Sequence, residues 1–171
     1  ESLDHATYLS INTQAGNELS PKEYVAFQIL EYVLLDAPGA SLKKALLDAG
    51  IGDDIMGGYE YGILQPYFSV IAKNAERGQK DEFVKIVKAE LKKLADGGID
   101  KKCLKAGINN YEFQYREADY GSTPKGLMYG LQCLDSWLYG GDPMMHLEYE
   151  DTFAALKKGA DSGYFEGLIR T

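Results

Sequence analysis

The two histidines are the first residues to consider as metal ligands or catalytic bases. His146 lies in the stretch MHLEYE, and His5 lies near the start of the sequence. Glu148 and Glu150 follow His146 at two and four residues, so only one of them can share a helical face with it. A zinc site needs three or four ligands, which this stretch does not supply. We therefore expect His146 to be solvated or to cap a helix, and we predict no metal site in this chain.

Nucleophilic and carboxylate catalysis have no support in the sequence either. A serine, cysteine or lysine nucleophile needs an adjacent base, and the two histidines form no recognisable triad with any of them. The carboxylate pairs Glu117/Asp119 and Glu148/Glu150 lie within predicted helices that also carry basic residues. Such mixed charge is typical of a solvated helix face and not of a glycosidase site. We predict no catalytic residue in the chain.

The cysteines indicate a reducing environment. Cys103 and Cys133 lie on separate helical patterns without a C-x-x-C motif, which excludes a disulfide framework and a zinc knuckle. We expect both to be small buried hydrophobic side chains. This cysteine usage favours a cytoplasmic location.

Net charge limits the classes of partner. The chain of 171 residues carries a formal net charge of -8, and its lysines alternate with acidic residues. A nucleic-acid interface needs clustered basic residues, so we expect no nucleic-acid partner. The apolar run at residues 24–35 is interrupted by Glu31, so we expect no membrane span. An acidic surface mildly favours basic peptides as partners.

Apolar periodicity predicts an α+β fold. Strands are predicted at residues 6–13, 55–60 and 65–75, with the last two joined as a hairpin through Tyr61 and Gly62. Helices are predicted at 21–36, 42–49, 80–96 and 101–119, the first begun by a capping box at Ser20 and Glu23 and the last capped by Asp100. We expect a two-layer mixed sheet with helices packed on one face, plus extra C-terminal helices. The core-facing residues are predicted to include Val25, Ile29, Tyr32, Val33, Leu42, Leu46, Leu47, Phe68, Val70, Ala72, Phe83, Val87, Leu91, Leu94, Leu104, Ile108, Tyr111 and Tyr115.

Residues 115–143 combine aromatics, glycines and charges. Within them Leu127, Leu131, Leu134 and Leu138 recur at the spacing of one helical face. We predict that this face is largely buried and serves packing. We treat residues 1–171 as a single domain, with a core at 1–121 and a helical extension at 122–171. The absence of an initial methionine favours a fragment of a larger protein.

Three long stretches resemble the second domain of the insulinase/pitrilysin superfamily of zinc metallopeptidases, in its presequence-protease-like branch. They are YVLLDAPGASLKKALLDAGIGDDIMGGYE, QPYFSVIAKNAE and YEFQYREADYGSTPKGLMYGLQCLDSWLYGGDP. The resemblance implies a clamshell enzyme that cuts peptides in a chamber. Its zinc and general base belong to an H-x-x-E-H helix in the first domain, a motif that this sequence lacks.

The resemblance therefore implies a non-catalytic chamber-wall and substrate-contacting domain of a zinc-dependent metalloendopeptidase. It implies no cofactor in this fragment and zinc in the parent enzyme. The partners implied are peptide substrates and the other domains of the same peptidase, with Trp137 and Tyr139 at an interface with those domains. The isolated fragment could then form a homodimer. The alternative is a free-standing peptide- or partner-binding module, an inactive member of the family.

The resemblance also implies a candidate exosite that anchors the substrate's N-terminal end away from the zinc. The corresponding residues here are Pro38, Gly39, Ala40, Ile55, Met56, Gly57, Gly58 and Tyr59. An exposed strand edge would bind another chain through its backbone, and two glycines would permit close approach. The alternative is that Gly57 and Gly58 form a bulge or bend in a covered strand.

Overall fold

Three antiparallel strands form one layer of the protein, for which a computed structural model describes residues 6–170. The strands are β1 (Thr7–Gln14), β2 (Asp54–Glu60) and β3 (Tyr67–Ala75), in the spatial order β1-β3-β2. The predicted α+β class is confirmed. The sheet of the described residues is antiparallel and not mixed, because residues 61–66 return the chain as a hairpin and β1 also runs against β3.

The longest apolar stretch forms a helix at the centre of the second layer. Helix α1 (Pro21–Glu31) begins at Ser20, whose hydroxyl accepts a hydrogen bond from the Glu23 amide as predicted. The other half of the predicted capping box is wrong, because the Ser20 amide donates to the Asn17 carbonyl and not to the Glu23 side chain. A π-helical turn (Tyr32–Asp36) continues it, and α2 (Ser41–Asp48) follows after the turn at Gly39. By length and hydropathy alone the helical run Pro21–Asp48 would suit a membrane, but 67% of its most apolar window is buried, as in the core helix of a globular domain.

Two amphipathic helices complete the predicted core. Helix α3 (Lys80–Gly97) and helix α4 (Lys101–Glu117) lie close to their predicted positions, and Asp100 caps α4 by accepting from the amides of Lys102 and Cys103. Their apolar faces pack into the core, as the spacing predicts. Leu47 of α2 is an exception, since it is exposed although it was predicted to reach the core. Both cysteines are free and half-buried, not fully buried as expected.

The C-terminal part is helical in three pieces. They are α5 (Lys125–Trp137), α6 (Glu150–Gly159) and α7 (Tyr164–Arg170), and turns occupy most of the chain between α5 and α6. Helix α6 packs on α1 and α4, and α7 packs on α3. Phe153, Leu156 and Phe165 are fully buried, so these two helices extend the same core.

Helix α5 contradicts the prediction made for its leucines. Leu127, Leu131 and Leu138 are 55%, 48% and 65% exposed, and Leu134 is half-buried. The side of α5 turned towards the fold instead carries Ser136, its one buried residue. Helical spacing identifies an apolar face but not what covers it, and within the described residues nothing buries this one.

Alanine substitutions can test whether the leucine face of α5 belongs to the core. Leu42 is fully buried in the core, so Leu42→Ala should lower the free energy of unfolding by about 2–5 kcal/mol. Leu131→Ala should lower it by less than about 1 kcal/mol, because the side chain is already half in water. Urea unfolding measures both values. An equal loss for the two variants would mean that the leucine face of α5 is part of the core.

Candidate functional site

Strand β2 has one unpaired edge. It pairs with β3 on one side, and no strand of the described chain lies on the other. The Tyr59 amide points away from β3, because it donates to Oε2 of Glu31 at 3.0 Å. Since the backbone amides of alternate residues in a strand point in the same direction, those of Ile55 and Gly57 also face the open edge. The Ile55 amide is next to the Asp54 carboxylate, whose pKa is lowered by Lys43, the larger cause, and also by this amide. The Gly57 amide is therefore the accessible donor in the middle of the edge.

Gly57 and Gly58 of β2 differ in how much space surrounds them. A Cβ at Gly57 would lie 2.1 Å from the Ser69 carbonyl oxygen and 2.5 Å from Cδ1 of Leu35, so only glycine allows this close packing. At Gly58 the nearest atom to such a Cβ would be Oε1 of Glu31, at 3.9 Å. Both glycines pair in regular register, opposite Val70 and Ser69, and form no bulge. Gly57 serves packing, whereas Gly58 leaves space beside the edge.

A groove of about 710 Å³ runs along this edge and is called here the tyrosine groove. Residues 57–61 form one side, and helices α1, α4 and α5 form the others. Three glutamines and three carboxylates line it with the tyrosines, and no lysine, arginine or histidine does. Leu131 of α5 also lines it, so part of the exposed leucine face borders the groove. The six lining tyrosines are Tyr24, Tyr59, Tyr61, Tyr111, Tyr115 and Tyr120.

The structure separates the residues of the predicted exosite. Gly57, Gly58 and Tyr59 line the tyrosine groove, the Tyr59 side chain being buried. Ile55 is fully buried and Met56 is partly exposed, so a ligand at this edge would meet the backbone of the strand more than its side chains.

The turn of the predicted exosite lies outside the groove. Pro38 and Gly39 are exposed, and buried Ala40 precedes the first residue of α2. Gly39 and Ala40 border a separate depression of about 370 Å³, lined also by Leu35 and Lys43. The tyrosine groove and this turn are therefore two different surfaces.

Three polar residues of α1 face the groove, and sequence reasoning did not single them out. The hydroxyl of Tyr24 donates to Oδ2 of Asp135 at 2.8 Å, and Gln28 donates to the Tyr24 carbonyl at 2.9 Å. Glu31 binds the edge of β2, as described above. Burial raises the pKa of the Glu31 and Asp135 carboxyl groups. The spacing 24, 28 and 31 is that of one helical face, and this signal could have identified them.

His146 is buried and not solvated or capping, contrary to the prediction. Its ring stacks on Tyr24 with centroids 3.9 Å apart, and it is 3% exposed. Burial lowers the pKa of His146, which favours the neutral imidazole. The stacking explains its place, because a neutral imidazole packs as an aromatic ring. His5 lies outside the described residues.

Glu18 forms a second buried polar contact beside the groove. Its Oε1 accepts from the Gly62 amide at 3.0 Å, while Oε2 has no hydrogen-bond partner among the described residues. Burial raises the pKa of Glu18 from 4.5 to about 7, with a smaller contribution from the Asp135 charge. Tyr139 also holds the hairpin loop, since its hydroxyl donates to the Gly62 carbonyl at 3.1 Å. The loop after β2 is thus anchored from both sides.

The arrangement does not suit a metal. Among residues 6–170, no group of three or more His, Cys, Asp or Glu side chains is placed to hold an ion. A zinc ion would need three or four such ligands. What the groove offers is an open strand edge, tyrosine rings and negative charge. These features suit an extended chain better than they suit bond cleavage.

This chain matches the model of one peptidase family and is similar to longer proteins. Residues 2–111 match the family model of the peptidase M16 inactive domain. The chain is 46% identical over 169 residues to the protein HypA of Clostridium perfringens, covering 99% of this chain and 17% of that protein. It is 34% identical over 134 residues to presequence protease 1, chloroplastic/mitochondrial, of Arabidopsis thaliana, covering 78% of this chain and 12% of that protein. The chain thus spans about one-sixth or less of these relatives.

A solved structure agrees in fold. The inactive peptidase domain from Bordetella parapertussis superposes with a TM-score of 0.67 at 13% identity, covering 95% of this chain and 82% of that one. At this identity the likeness concerns the fold alone.

The raised pKa of Glu18 predicts a pH-dependent stability. Because the folded pKa of about 7 lies above the ordinary 4.5, the stability from protonated Glu18 is fully present below pH 4.5 and is lost as pH rises through 7. Glu18→Gln keeps an acceptor for Gly62 and cannot ionise. At pH 8 it should be more stable than the wild type by on the order of 2 kcal/mol. Urea unfolding between pH 5 and 8 measures the difference, with exposed Glu82→Gln as the control. Parallel pH curves for wild type and Glu18→Gln would contradict the assignment.

Proposed function

Because the chain belongs to the peptidase M16 inactive-domain family, we propose that it is a non-catalytic, substrate-contacting wall of a zinc-dependent metalloendopeptidase that degrades peptides. The observation that carries this proposal is the open edge of β2 beside the tyrosine groove. Since the chain is a small part of its relatives, the catalytic zinc would lie elsewhere in the parent protein. This chain would bind the substrate and leave cleavage to another domain.

The mechanism proposed for substrate contact is strand addition. An extended peptide laid beside β2 would accept a hydrogen bond from the Gly57 amide and donate to carbonyl groups on the same edge. Backbone bonds give affinity with little side-chain selectivity, which suits a peptidase of varied substrates. The edge is limited at both ends, because Glu31 already binds the Tyr59 amide and the Asp54 carboxylate lies next to the Ile55 amide. A single peptide strand of a few residues fits this space.

The exposed apolar face of α5 supports the peptidase role over a free-standing module. Trp137 and Leu138 are 63% and 65% exposed, and Leu127 continues the face. Contiguous apolar surface of this kind marks an interaction site. We assign its occupant to the remaining part of the same polypeptide, because the relatives are about six times longer than this chain. A free-standing module would have no such neighbour to cover the face.

Backbone-modified peptides test strand addition without altering the protein. The probe is a fluorescent, N-acetylated, unstructured peptide of alternating lysine and valine. Two versions carry N-methyl groups, one on every lysine amide and the other on every valine amide. In an added strand, only one of these sets points at β2. Fluorescence anisotropy should show that one version binds at least about tenfold more weakly, while the other keeps most of the affinity. Equal affinity for all three peptides would rule out strand addition.

The face of α5 predicts self-association of the isolated chain. Without its neighbour the apolar surface should pair with a second copy, and sedimentation velocity should show a concentration-dependent dimer. The double variant Trp137→Glu/Leu138→Glu should be monomeric with an unfolding free energy within about 0.5 kcal/mol of the wild type, because both side chains are exposed. Tyr8→Glu, an exposed position on β1, is the matched control and should still dimerise. A monomeric wild type at every concentration, or dimers of the double variant, would exclude this face.

A further inference from the structure

Two carboxylates in the tyrosine groove each have one oxygen available for a ligand. The recorded hydrogen bond of Glu31 uses Oε2, which accepts from the Tyr59 amide, and that of Asp135 uses Oδ2, which accepts from the Tyr24 hydroxyl. Oε1 of Glu31 lies beside Gly58, where the absence of a side chain leaves open space. Both donors to these carboxylates are neutral groups, so neither carboxylate has its charge balanced by its hydrogen bond.

No cation of the groove balances these charges. None of the lining residues is lysine, arginine or histidine, and Glu60 adds a third acidic group. The ion pairs found between described residues involve neither Glu31 nor Asp135. Burial raises the pKa of both carboxyl groups, which is the signature of a charge moved out of water without an opposite charge beside it. A ligand that brings a positive charge would relieve this cost.

The aromatic rings of the groove can also hold a cation. Tyr24 and Tyr61 meet edge to face with centroids 5.0 Å apart, and burial together with the nearby charges of Asp135 and Glu31 raises the pKa of Tyr61. A ring face attracts an ammonium or guanidinium group placed within about 6 Å of its centroid. The chain already uses this contact elsewhere, since Nζ of Lys22 lies 3.5 Å from the centroid of Tyr164.

We propose that the tyrosine groove selects peptides that carry a lysine or arginine side chain, which it binds between Glu31 and Asp135 and against the tyrosine rings. This inference rests on the proposed function, because the edge of β2 holds the peptide backbone while the groove reads the side chain. A residue added opposite Gly58 would have its side chain beside Oε1 of Glu31. The specificity of the edge would thus come from charge and not from shape.

Peptide variants separate side-chain selection from backbone capture. The lysine and valine peptide described above is compared with a version in which norleucine replaces every lysine, which keeps the length and removes the charge. Both are N-acetylated, and a third version with a free N-terminus and norleucine tests whether an α-amino group can substitute. The lysine peptide should bind about tenfold or more tightly than the acetylated norleucine peptide. The free N-terminus should restore little of that difference.

Isosteric protein variants then locate the charge. Glu31→Gln and Asp135→Asn keep acceptors for Tyr59 and Tyr24, so binding of the norleucine peptide reports whether the edge is intact. In the double variant the preference for lysine should fall to about twofold or less, while Glu82→Gln, in the first turn of α3 and outside the groove, should keep it.

The outcomes distinguish the two proposals. If lysine and norleucine peptides bind equally and N-methylation still weakens both, charge selection is wrong and strand addition stands. If the double variant prefers the lysine peptide as strongly as the wild type does, the cation site lies elsewhere. A preference restored by the free N-terminus would assign the site to the peptide's α-amino group. If N-methylation has no effect on any peptide, the edge itself is not the binding surface.

Discussion

Burial of helix α1 on all its sides is the constraint on which the rest of the structure depends. Every residue from Tyr24 to Leu30 is buried, so the helix needs cover from the sheet, from α4 and from α6. Its polar groups must nevertheless find partners, since an unpaired buried polar group is costly. Two of them find partners at the groove, where Tyr24 binds Asp135 and Glu31 binds the edge of β2. The groove is the place where the central helix satisfies its polar atoms.

The same constraint links the fold to peptide contact. Because Glu31 holds the Tyr59 amide, β2 is tied to α1, and Leu35 packs so closely that Gly57 cannot carry a side chain. The rest of this outer edge of the strand stays unpaired, and α5 borders the groove without burying its leucines. A strand that β3 holds along its inner edge, and whose outer edge is open beyond the Glu31 contact, is suited to accept a further strand. Its tyrosine and carboxylate surroundings would then decide which strand it accepts.

Sequence reasoning predicted most of the fold because its signals are local. Alternation and helical spacing located the strands and helices, and Ser20 and Asp100 marked two helix starts by chemistry that acts within a few residues. The predictions that the leucines of α5 are buried and that His146 is solvated or caps a helix were wrong. Both properties depend on residues that are distant in sequence and close in space. The prediction of a mixed sheet was wrong for the same reason, since the relative direction of strands depends on pairing between distant parts of the sequence. The open edge of β2 was expected from resemblance and remains a prediction as a binding site, whereas Tyr24, Glu31 and Asp135 come together only in the folded chain.

Amide hydrogen exchange tests the central claim, that the outer edge of β2 binds a peptide backbone, most directly. Exchange at single residues can be followed by NMR with and without a bound lysine and valine peptide. The account predicts alternation: the Gly57 amide, which faces the open edge, should become protected, while those of Met56 and Gly58, already paired with β3, should be unchanged. Equal protection of neighbouring amides, or none at Gly57 when the peptide is bound, would contradict it.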